Sequence, residues 1–538
     1  MNAVIANNVS ASGLTKTGTG TVLLAGASTY TGGTVVQEGT LQIGAANSLP
    51  TGTLLTLGGG TTSGVLKLAG NSQSLGGLTT AGSGLNNRVV NGSSTPATLT
   101  LGGGSVYDGL LGGPGTDENN LSITASGTPT LTGLNTFTGN VTIGTGATLI
   151  LPVIAVSGPQ PLGQGASAIT FQGNASLGST LQYSGTGAGA TNRGLAMAGG
   201  QGGTVNVSSA TGVLTVNGPL TGDYAFAKSG PGTLLLTGSE DWNSSGGVLG
   251  GTLVIGGLAG AGSNSLTGGN WDVHSGATLR LNTTGVFETS TLTRNGTFNL
   301  ESGTLRTNAI AGTGAFVWGN ATLSPLGNLA EGTVDRTDPA GSASGPVVRE
   351  GNILDFAGNL ASSVAPGQVS TLDLVAVVQN DGLRYNQLKI TGALSLAGVD
   401  TLRFSINPYL LRPTSPNSVT TGDWGTLRLV MADSITGTFD NITGIGSDYI
   451  GWSAFSGSFT GAASLPLNSY YIEYAASGIT DEGIQAGAAI LFHYKVAGSV
   501  PEPASAGLAA AGVLLLRTLA RRQRKEQAFH RAIGFPGI

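Results

Sequence analysis

Short apolar runs bounded by glycine recur along the first half of the chain. In each run Thr, Val, Leu or Ile dominates over four to six residues, and Gly or Asn closes it. Such runs predict short β-strands separated by tight turns. The clearest examples are Gly20–Gly26, Gly39–Gly44, Gly64–Gly70, Ala97–Gly103, Gly212–Gly218, Gly232–Gly238 and Ala277–Asn282.

The composition supports an all-β fold and excludes several others. Gly accounts for 93 of the 538 residues, and each Gly in a helix costs about 1 kcal/mol relative to Ala. A mostly helical fold is therefore excluded. Because the chain has no Cys, it can form neither disulfides nor a Cys-ligated zinc site.

Two segments far apart in the chain are copies of one unit. Residues 14–44 align without a gap with residues 226–256, at a constant offset of 212. The offset superposes Lys16 on Lys228 and aromatic Tyr30 on aromatic Trp242. A third, looser copy runs from Gly127 to Leu149.

Leucines that recur every 18–22 residues set the length of the repeating unit. A strand-turn unit of this length suits one coil of a solenoid, in which stacked coils bury a shared apolar core. The sequence therefore predicts a right-handed parallel β-solenoid (β-helix) over residues 1–345. In this arrangement Leu24, Leu41, Leu236 and Leu253 should all point inward.

The repeated unit resembles the autotransporter-associated β-strand repeat, also called the passenger-associated transport repeat. The shared pattern is [LF]-x-K-x-G-x-G-T-[LV]-L-L-x-G, then an aromatic, then G-T-L-x-[IV]-G, matched well twice and loosely once. The resemblance covers roughly residues 10–345. It implies secreted, β-helical, surface-associated passenger material, and it implies no activity.

A polar, Pro- and Gly-rich stretch from Thr333 to Glu350 separates this repeat region from more strand-like sequence. Residues 346–496 are predicted to form a terminal β region that caps the open end of the solenoid, because an uncovered strand edge promotes aggregation. Its apolar runs are Thr371–Val378, Asn386–Gly398, Thr401–Ile406, Gly425–Ala432, Ile435–Ile442 and Tyr470–Ala475.

Residues 497–538 differ from everything before them. The P-E-P motif (Val500, Pro501, Glu502, Pro503) precedes an uncharged stretch, Ala504–Leu516, which is predicted to form a short apolar helix. A basic cluster follows, made of Arg521, Arg522, Arg524 and Lys525. This order resembles the PEP-CTERM protein-sorting domain; the alternative is an amphipathic or buried C-terminal helix.

The tail resemblance implies partners and a location. An exosortase-like processing enzyme would cut near the P-E-P motif while the apolar stretch, as a transmembrane helix, transiently occupies the inner membrane. The expected location is the cell surface, envelope or extracellular matrix of a Gram-negative-type bacterium, with exopolysaccharide as a further potential partner. Residues 1–10 contain no secretory signal pattern, so the gene start is interpreted as truncated.

Charge argues against nucleic acid as a partner. The formal net charge is −5, and six Lys or Arg from Arg517 onward leave the preceding body more acidic still. A sparse acidic body lacks the basic patch that binds phosphate backbones.

The sequence offers weak candidates for metal sites. Gly112–Asn120 partly fits a calcium nonapeptide, but it is a single copy with Asn119 at the apolar position, so a solvated turn is the alternative that we favour. His274, His493 and His530 are far apart and form no zinc motif. No metal or cofactor is expected.

Catalytic candidates are equally weak. Adjacent acids occur at Asp117–Glu118, Glu240–Asp241 and Asp481–Glu482, but glycoside hydrolysis needs two carboxylates across a cleft. We expect Lys16 and Lys228, and Tyr30 and Trp242, to have structural roles, with an aromatic platform for sugars as the alternative. No catalytic residues are assigned.

These observations favour a non-enzymatic, secreted or surface-associated structural or adhesion-type protein, sorted to the envelope or exopolysaccharide matrix through its tail. The alternative is a β-helical protein that binds or degrades polysaccharide, as a lyase or hydrolase would. A lateral cleft lined by acids, Arg or aromatics on neighbouring coils would distinguish the two.

Overall fold

The computed structural model describes the chain in a series of segments. These are residues 4–8, 10–174, 176–239, 241–242, 244–256, 265–266, 269–325, 348–362, 368–379, 382–396, 400–406, 424–445, 453–458, 460, 464–466, 469–481 and 484–495. The P-E-P motif, the apolar stretch and the basic cluster of the tail lie outside the described residues, as does His530.

Within these segments the protein is β-structure with one short helix, α1 (Thr116–Asn119). Thirty strands precede residue 274. They are β1 (Leu14–Lys16), β2 (Thr21–Leu24), β3 (Thr34–Val36), β4 (Gly39–Ile43), β5 (Leu54–Leu57), β6 (Gly64–Lys67), β7 (Gln73–Leu75), β8 (Gly77–Thr80), β9 (Arg88–Val90), β10 (Ala97–Leu101), β11 (Val106–Tyr107), β12 (Leu110–Leu111), β13 (Leu121–Ala125), β14 (Thr130–Leu131), β15 (Val141–Ile143), β16 (Thr148–Leu151), β17 (Ile169–Phe171), β18 (Ser179–Tyr183), β19 (Ala188–Thr191), β20 (Leu195–Met197), β21 (Gly203–Val207), β22 (Val213–Val216), β23 (Leu220–Gly222), β24 (Phe226–Ser229), β25 (Thr233–Leu236), β26 (Asp241–Trp242), β27 (Gly246–Val248), β28 (Thr252–Ile255), β29 (Ser265–Leu266) and β30 (Asn270–Val273).

Sixteen more strands follow among the described residues. They are β31 (Thr278–Arg294), β32 (Thr297–Ala311), β33 (Phe316–Trp318), β34 (Thr322–Pro325), β35 (Val348–Phe356), β36 (Leu360–Ala361), β37 (Thr371–Gln379), β38 (Gly382–Ile390), β39 (Ala393–Ser395), β40 (Thr401–Ile406), β41 (Trp424–Ala432), β42 (Ser434–Thr436), β43 (Asn441–Ile445), β44 (Ser453–Ala454), β45 (Ser469–Asp481) and β46 (Ile484–Lys495).

The strands stack in parallel ladders that are not consecutive in the chain. Strands β1, β3, β5 and β8 form one sheet, while β2, β4, β6, β9 and β12 form another, so the chain returns to each sheet after visiting its neighbour. In the sheet that contains β10, β13, β15 and β17, the return takes from 18 residues (β13 to β15) to 28 residues (β15 to β17). The all-β and parallel parts of the sequence prediction are thus confirmed. The stretch of chain between two successive returns to a sheet, which we call a coil, is more variable in length than expected.

One long strand shows how neighbouring ladders join. Strand β31 pairs in parallel with β28 through Thr278–Leu281, with β29 through Val286–Phe287 and with β30 through Thr291–Arg294. Its pairing with β32 shifts register near Asn282. The chain therefore passes from one ladder to the next through register shifts within a single strand as well as through loops.

The four repeat leucines lie in the core. Leu24, Leu41 and Leu253 are fully buried and Leu236 is 1% exposed. Strand β2 pairs in parallel with β4, and β25 pairs in parallel with β28. The predicted inward orientation is confirmed, and these leucines belong to one continuous cluster of buried side chains that extends to Tyr494.

The described part of residues 346–496 mixes parallel and antiparallel pairing. Strand β38 pairs in parallel with β35 and β41, whereas β46 pairs antiparallel with both β41 and β45. Antiparallel strand β46 thus covers the edge of β41 that would otherwise stay open, which limits edge-to-edge association.

Substituting Leu253→Ala should destabilise the protein by about 2–5 kcal/mol, because the side chain is fully buried between Leu234 and Leu279 of the adjacent coils. Urea denaturation of the full chain measures the effect. Leu54→Ala is the matched control, since Leu54 is 47% exposed and its removal should change the midpoint little. Equal losses for both variants would contradict the assigned orientation.

Candidate functional site

The two repeat copies share a local geometry that centres on a buried lysine. The Nζ of Lys228 donates hydrogen bonds to the carbonyl oxygens of Ser229 (2.8 Å), Gly230 (2.8 Å) and Gly250 (2.9 Å), and the residue is fully buried. An ammonium group has three N–H donors, so all three are used. Lys228 therefore fastens two successive coils at a corner.

Lys16 repeats this arrangement in the first copy. Its Nζ donates to the carbonyls of Thr17 (3.0 Å), Glu38 (2.8 Å) and Gly18. The residue is 5% exposed. The structural role expected for this lysine pair is what the structure shows, but the lysines bind corner carbonyls instead of merely lying along a coil.

Glycine is required at the same corners. Gly39 and its counterpart Gly251 have φ values of 72° and 60°, which side-chain-bearing residues rarely adopt. A Cβ at Gly251 would lie 2.3 Å from the carbonyl oxygen of Gly232. Both repeat copies thus form the same type of corner, in which a glycine with a left-handed backbone conformation lies beside a lysine that is bound to backbone carbonyls.

Two buried arginines also donate hydrogen bonds to backbone carbonyls, at positions where the sequence shows no repeat. Arg193 is 2% exposed and donates to the carbonyls of Ser167 (2.8 Å) and Gly139 (3.2 Å), with its guanidinium 5.9 Å from the Phe137 ring. Burial lowers the pKa of Arg193 to about 10.

Arg294 is the second such arginine. It donates to the carbonyls of Gly314 and Ala357 and lies over the ring of Phe356 at 4.8 Å. Sequence reasoning missed both arginines; the available signal was an isolated cation at the end of an apolar run in a chain that has only 9% charged residues.

The repeat aromatics are buried, which makes the sugar-platform alternative wrong for them. Tyr30 and Trp242 are each 1% exposed. The Tyr30 hydroxyl lies 2.6 Å from the Thr34 hydroxyl, and burial raises its pKa. The Trp242 indole donates to the carbonyl of Tyr224 at 2.7 Å and packs edge-on against Trp271, with ring centroids 5.6 Å apart.

The partial calcium motif is a turn in the structure. Residues Thr116–Asn119 form α1, and the Asn119 side-chain oxygen accepts bonds from the Gly113 backbone (2.9 Å) and the Thr136 hydroxyl (2.6 Å). Glu118 accepts a bond from the Gly115 backbone at 2.9 Å. Asn119 and Glu118 thus accept hydrogen bonds from this segment and from Thr136.

The remaining acids and histidines do not come together. His493 lies 2.6 Å from Glu473, and burial lowers the pKa of this histidine. His274 is exposed and directly follows strand β30. Glu240 and Glu482 lie outside the described residues, and the side chains of Asp241 and Asp481 are not described. Among the residues that the structure describes, no three His, Asp or Glu are grouped to hold a metal ion.

The outer surface also contains a groove that the sequence analysis did not predict. It has a volume of about 360 Å³ and crosses four successive coils, those of β21, β24, β27 and β30. In register, Thr204, Ala227, Gly247 and Asp272 form one outward row across these coils. Because Ala227 and Gly247 have little or no side chain, the surface between Thr204 and Asp272 is hollow.

Polar side chains surround this hollow and small residues form its floor. The rim consists of Gln201, Thr204, Ser245, Asn270, Asp272 and His274, while Ala225, Ala227 and Gly247 line the floor. The exposed side chain of Leu249 also lines the groove. Among these lining residues there is one carboxylate, Asp272, and no Lys or Arg. The groove suits hydrogen bonding to a polar, uncharged ligand.

Comparison with known proteins gives two findings. Residues 14–43 match the family described as Passenger-associated-transport-repeat. The chain is also 32% identical over 424 residues, 70% of its length, to a protein named Adhesin BmaC autotransporter from Brucella suis biovar 1 (strain 1330). The matched part covers 11% of that adhesin, so the chain spans about a tenth of its relative's length.

No helix in the described segments combines the length and apolarity needed to cross a membrane.

Replacing Lys228→Met should lower the free energy of unfolding by about 1–3 kcal/mol at neutral pH, because buried carbonyls lose their donor. The difference between parent and variant should also depend on pH. Burial lowers the pKa of Lys228 from 10.5 to about 8. Between these values the unfolded chain holds the proton that the folded chain has lost, so the contribution of Lys228 to stability rises with pH.

Urea denaturation of parent and Lys228→Met at several pH values from about 8 to about 10.5 measures this contribution. Taking the difference removes the titration of every other group. A parent-minus-variant difference that stays flat or falls across this window would contradict the lowered pKa.

Proposed function

We propose that this chain is a non-enzymatic, exported, adhesion-type passenger protein, built as a right-handed parallel solenoid and displayed at the surface of a Gram-negative bacterium. The observation that carries the proposal is the in-register parallel ladder of the repeat copies. The match of residues 14–43 to the transport repeat and the similarity to an adhesin over 70% of the chain support it.

The outer surface suits a structural role. Its charged residues pair across neighbouring strands: Glu288 with Arg306 (2.9 Å), Glu301 with Arg280 (2.7 Å) and Asp373 with Arg403 (2.6 Å). Each exposed pair contributes at most about 1 kcal/mol, so these pairs neutralise charge locally on a body that is acidic overall. A ladder-bonded surface of this kind can extend coil by coil.

A polysaccharide lyase or hydrolase is the less favoured alternative. Hydrolysis of glycosidic bonds takes two carboxylates placed across the scissile bond. The groove over β21, β24, β27 and β30 presents Asp272 alone. Its single acid favours binding over cleavage.

We further propose that residues 497–538 sort the protein. Pro501 and Pro503 would keep the P-E-P motif extended and accessible. The apolar stretch would enter the inner membrane, and Arg521 to Lys525 would resist crossing, since each cation at the bilayer centre costs about 2.5–3.5 kcal/mol. An exosortase-like enzyme would then release the body to the envelope or the exopolysaccharide matrix.

Display of the full chain on a non-adherent Gram-negative host, behind a supplied signal peptide, should increase attachment of the cells to host-cell or matrix-coated surfaces. The reason is the proposed passenger role. Counting attached cells at matched display levels measures it. Gly251→Val is the control, because its positive φ and blocked Cβ position prevent the repeat corner from forming. Equal attachment with parent, variant and empty host would refute the adhesion function.

In a host that encodes the sorting enzyme, the mature protein should lack the residues beyond about Pro503. Mass spectrometry of the surface fraction measures the C-terminus. Exchanging Pro501→Ala and Glu502→Ala together should leave the tail attached, whereas the matched pair Ser505→Ala and Thr518→Ala should be processed normally. An intact C-terminus through Ile538 on surface-exposed parent protein would show that the sorting proposal is wrong.

A further inference from the structure

The groove over β21, β24, β27 and β30 cannot bind a partner by adding a strand. Strand β24 is hydrogen-bonded to β21 on one side and β27 on the other, and β27 is bonded to β24 and β30. Peptides that bind by β-augmentation need an open edge. Recognition in this groove must therefore use side chains and the apolar floor.

The charge of the lining residues further limits the class of ligand that the groove can bind. Phosphates, sulfates and uronates are recognised through Arg and Lys, and the lining contains neither. The polar rim instead provides two amides (Gln201 and Asn270), two hydroxyls (Thr204 and Ser245), the imidazole of His274 and the carboxylate of Asp272. Amides and hydroxyls both donate and accept hydrogen bonds, as a polyhydroxylated ligand requires.

The dimensions of the groove fit an extended chain of small units. Adjacent strands lie about 4.8 Å apart, so Thr204 and Asp272, three strand spacings apart, bound the hollow at about 14 Å from backbone to backbone. Ala227 and Gly247 provide the open floor between them. The length of one pyranose unit in an extended glycan is close to the spacing of one coil. The apolar faces of such units can lie on Ala225, Ala227 and Gly247, while their hydroxyls meet the rim on both sides.

We propose that this groove binds an uncharged oligosaccharide, with two or so sugar units lying along the coil axis over Ala227 and Gly247. The proposal rests on the adhesion function above and gives it a ligand class. The volume of about 360 Å³ is within the range of small-molecule sites.

Isothermal titration and glycan-array binding of the purified full chain test the proposal. The probes are neutral β-glucan and N-acetylglucosamine oligomers from dimer to hexamer, with uronate oligomers as the anionic arm. Neutral oligomers should bind, and their affinity should increase from the dimer to the trimer at most and then level off up to the hexamer. Binding of uronates in preference to neutral oligomers, or no binding of any neutral oligomer, would overturn the proposal.

Gly247 offers a variant that fills the groove without disturbing the coil. A Cβ at this position would meet only ordinary contacts, 3.5 Å from the Asp272 carbonyl and 3.8 Å from Leu249 Cδ2, and its φ is not in the left-handed region. Gly247→Val should weaken neutral glycan binding at least tenfold while leaving the urea midpoint nearly unchanged. Asp272→Asn should weaken binding severalfold.

Thr252→Val is the matched control, because Thr252 lies in strand β28, which pairs with β25 and β31 in the neighbouring ladder, and is outside the groove lining. It should bind as the parent does. Parent-like glycan binding by Gly247→Val would show that the groove is not the site. The attachment of cells that display Gly247→Val distinguishes the two proposals. If these cells attach as well as the parent although glycan binding is lost, the adhesion function is retained and the glycan is not the ligand through which it acts.

Discussion

The corners of the coils impose the constraint on which this structure depends. In the sheet that contains β13, β15 and β17 the chain returns after 18 to 28 residues, so it must turn sharply several times per coil. At some of these corners backbone carbonyls, such as those of Gly230 and Gly250, accept hydrogen bonds from a side chain instead of from a strand. An unpaired buried carbonyl costs about 1–3 kcal/mol. The protein meets this cost with buried cations: Lys16, Lys228, Arg193 and Arg294 each donate to two or three corner carbonyls.

Using carbonyls as partners explains how a charge-poor chain can bury cations. Burying an ammonium or guanidinium group is unfavourable unless its donors are satisfied. At Lys228 three carbonyls satisfy all three donors without any carboxylate, and at Arg294 an aromatic face adds a cation–π contact. Three acids, Glu288, Glu301 and Asp373, pair instead with arginines on neighbouring strands at the outer surface.

The sequence predicts the parts of this fold that are local. Apolar alternation locates strands β2, β4, β6, β10, β22 and β25 within a residue or two, and the 212-residue offset identifies Lys228 and Gly251 as equivalents of Lys16 and Gly39. The groove could not be predicted, because it depends on register. Ala227 and Gly247 become neighbours only when coils of unequal length align, and loop lengths carry no signal for that alignment. Arg193 and Arg294 were missed because their partners are backbone atoms far along the chain.

The floor of the groove and the corner at Lys228 share strand β24. Ala227 faces outward in the floor while the next residue, Lys228, faces inward and ties its coil to the following one. Beneath the floor, Phe226, Trp242, Trp271 and Phe287 form a run of edge-on aromatic contacts with centroids 5.3–6.2 Å apart. Gly246 leaves space for the Trp271 ring, since a Cβ there would lie 2.6 Å from it. Because packed aromatic rings support the floor of the groove, a ligand that binds there would order side chains of the rim and leave the backbone of the floor in place.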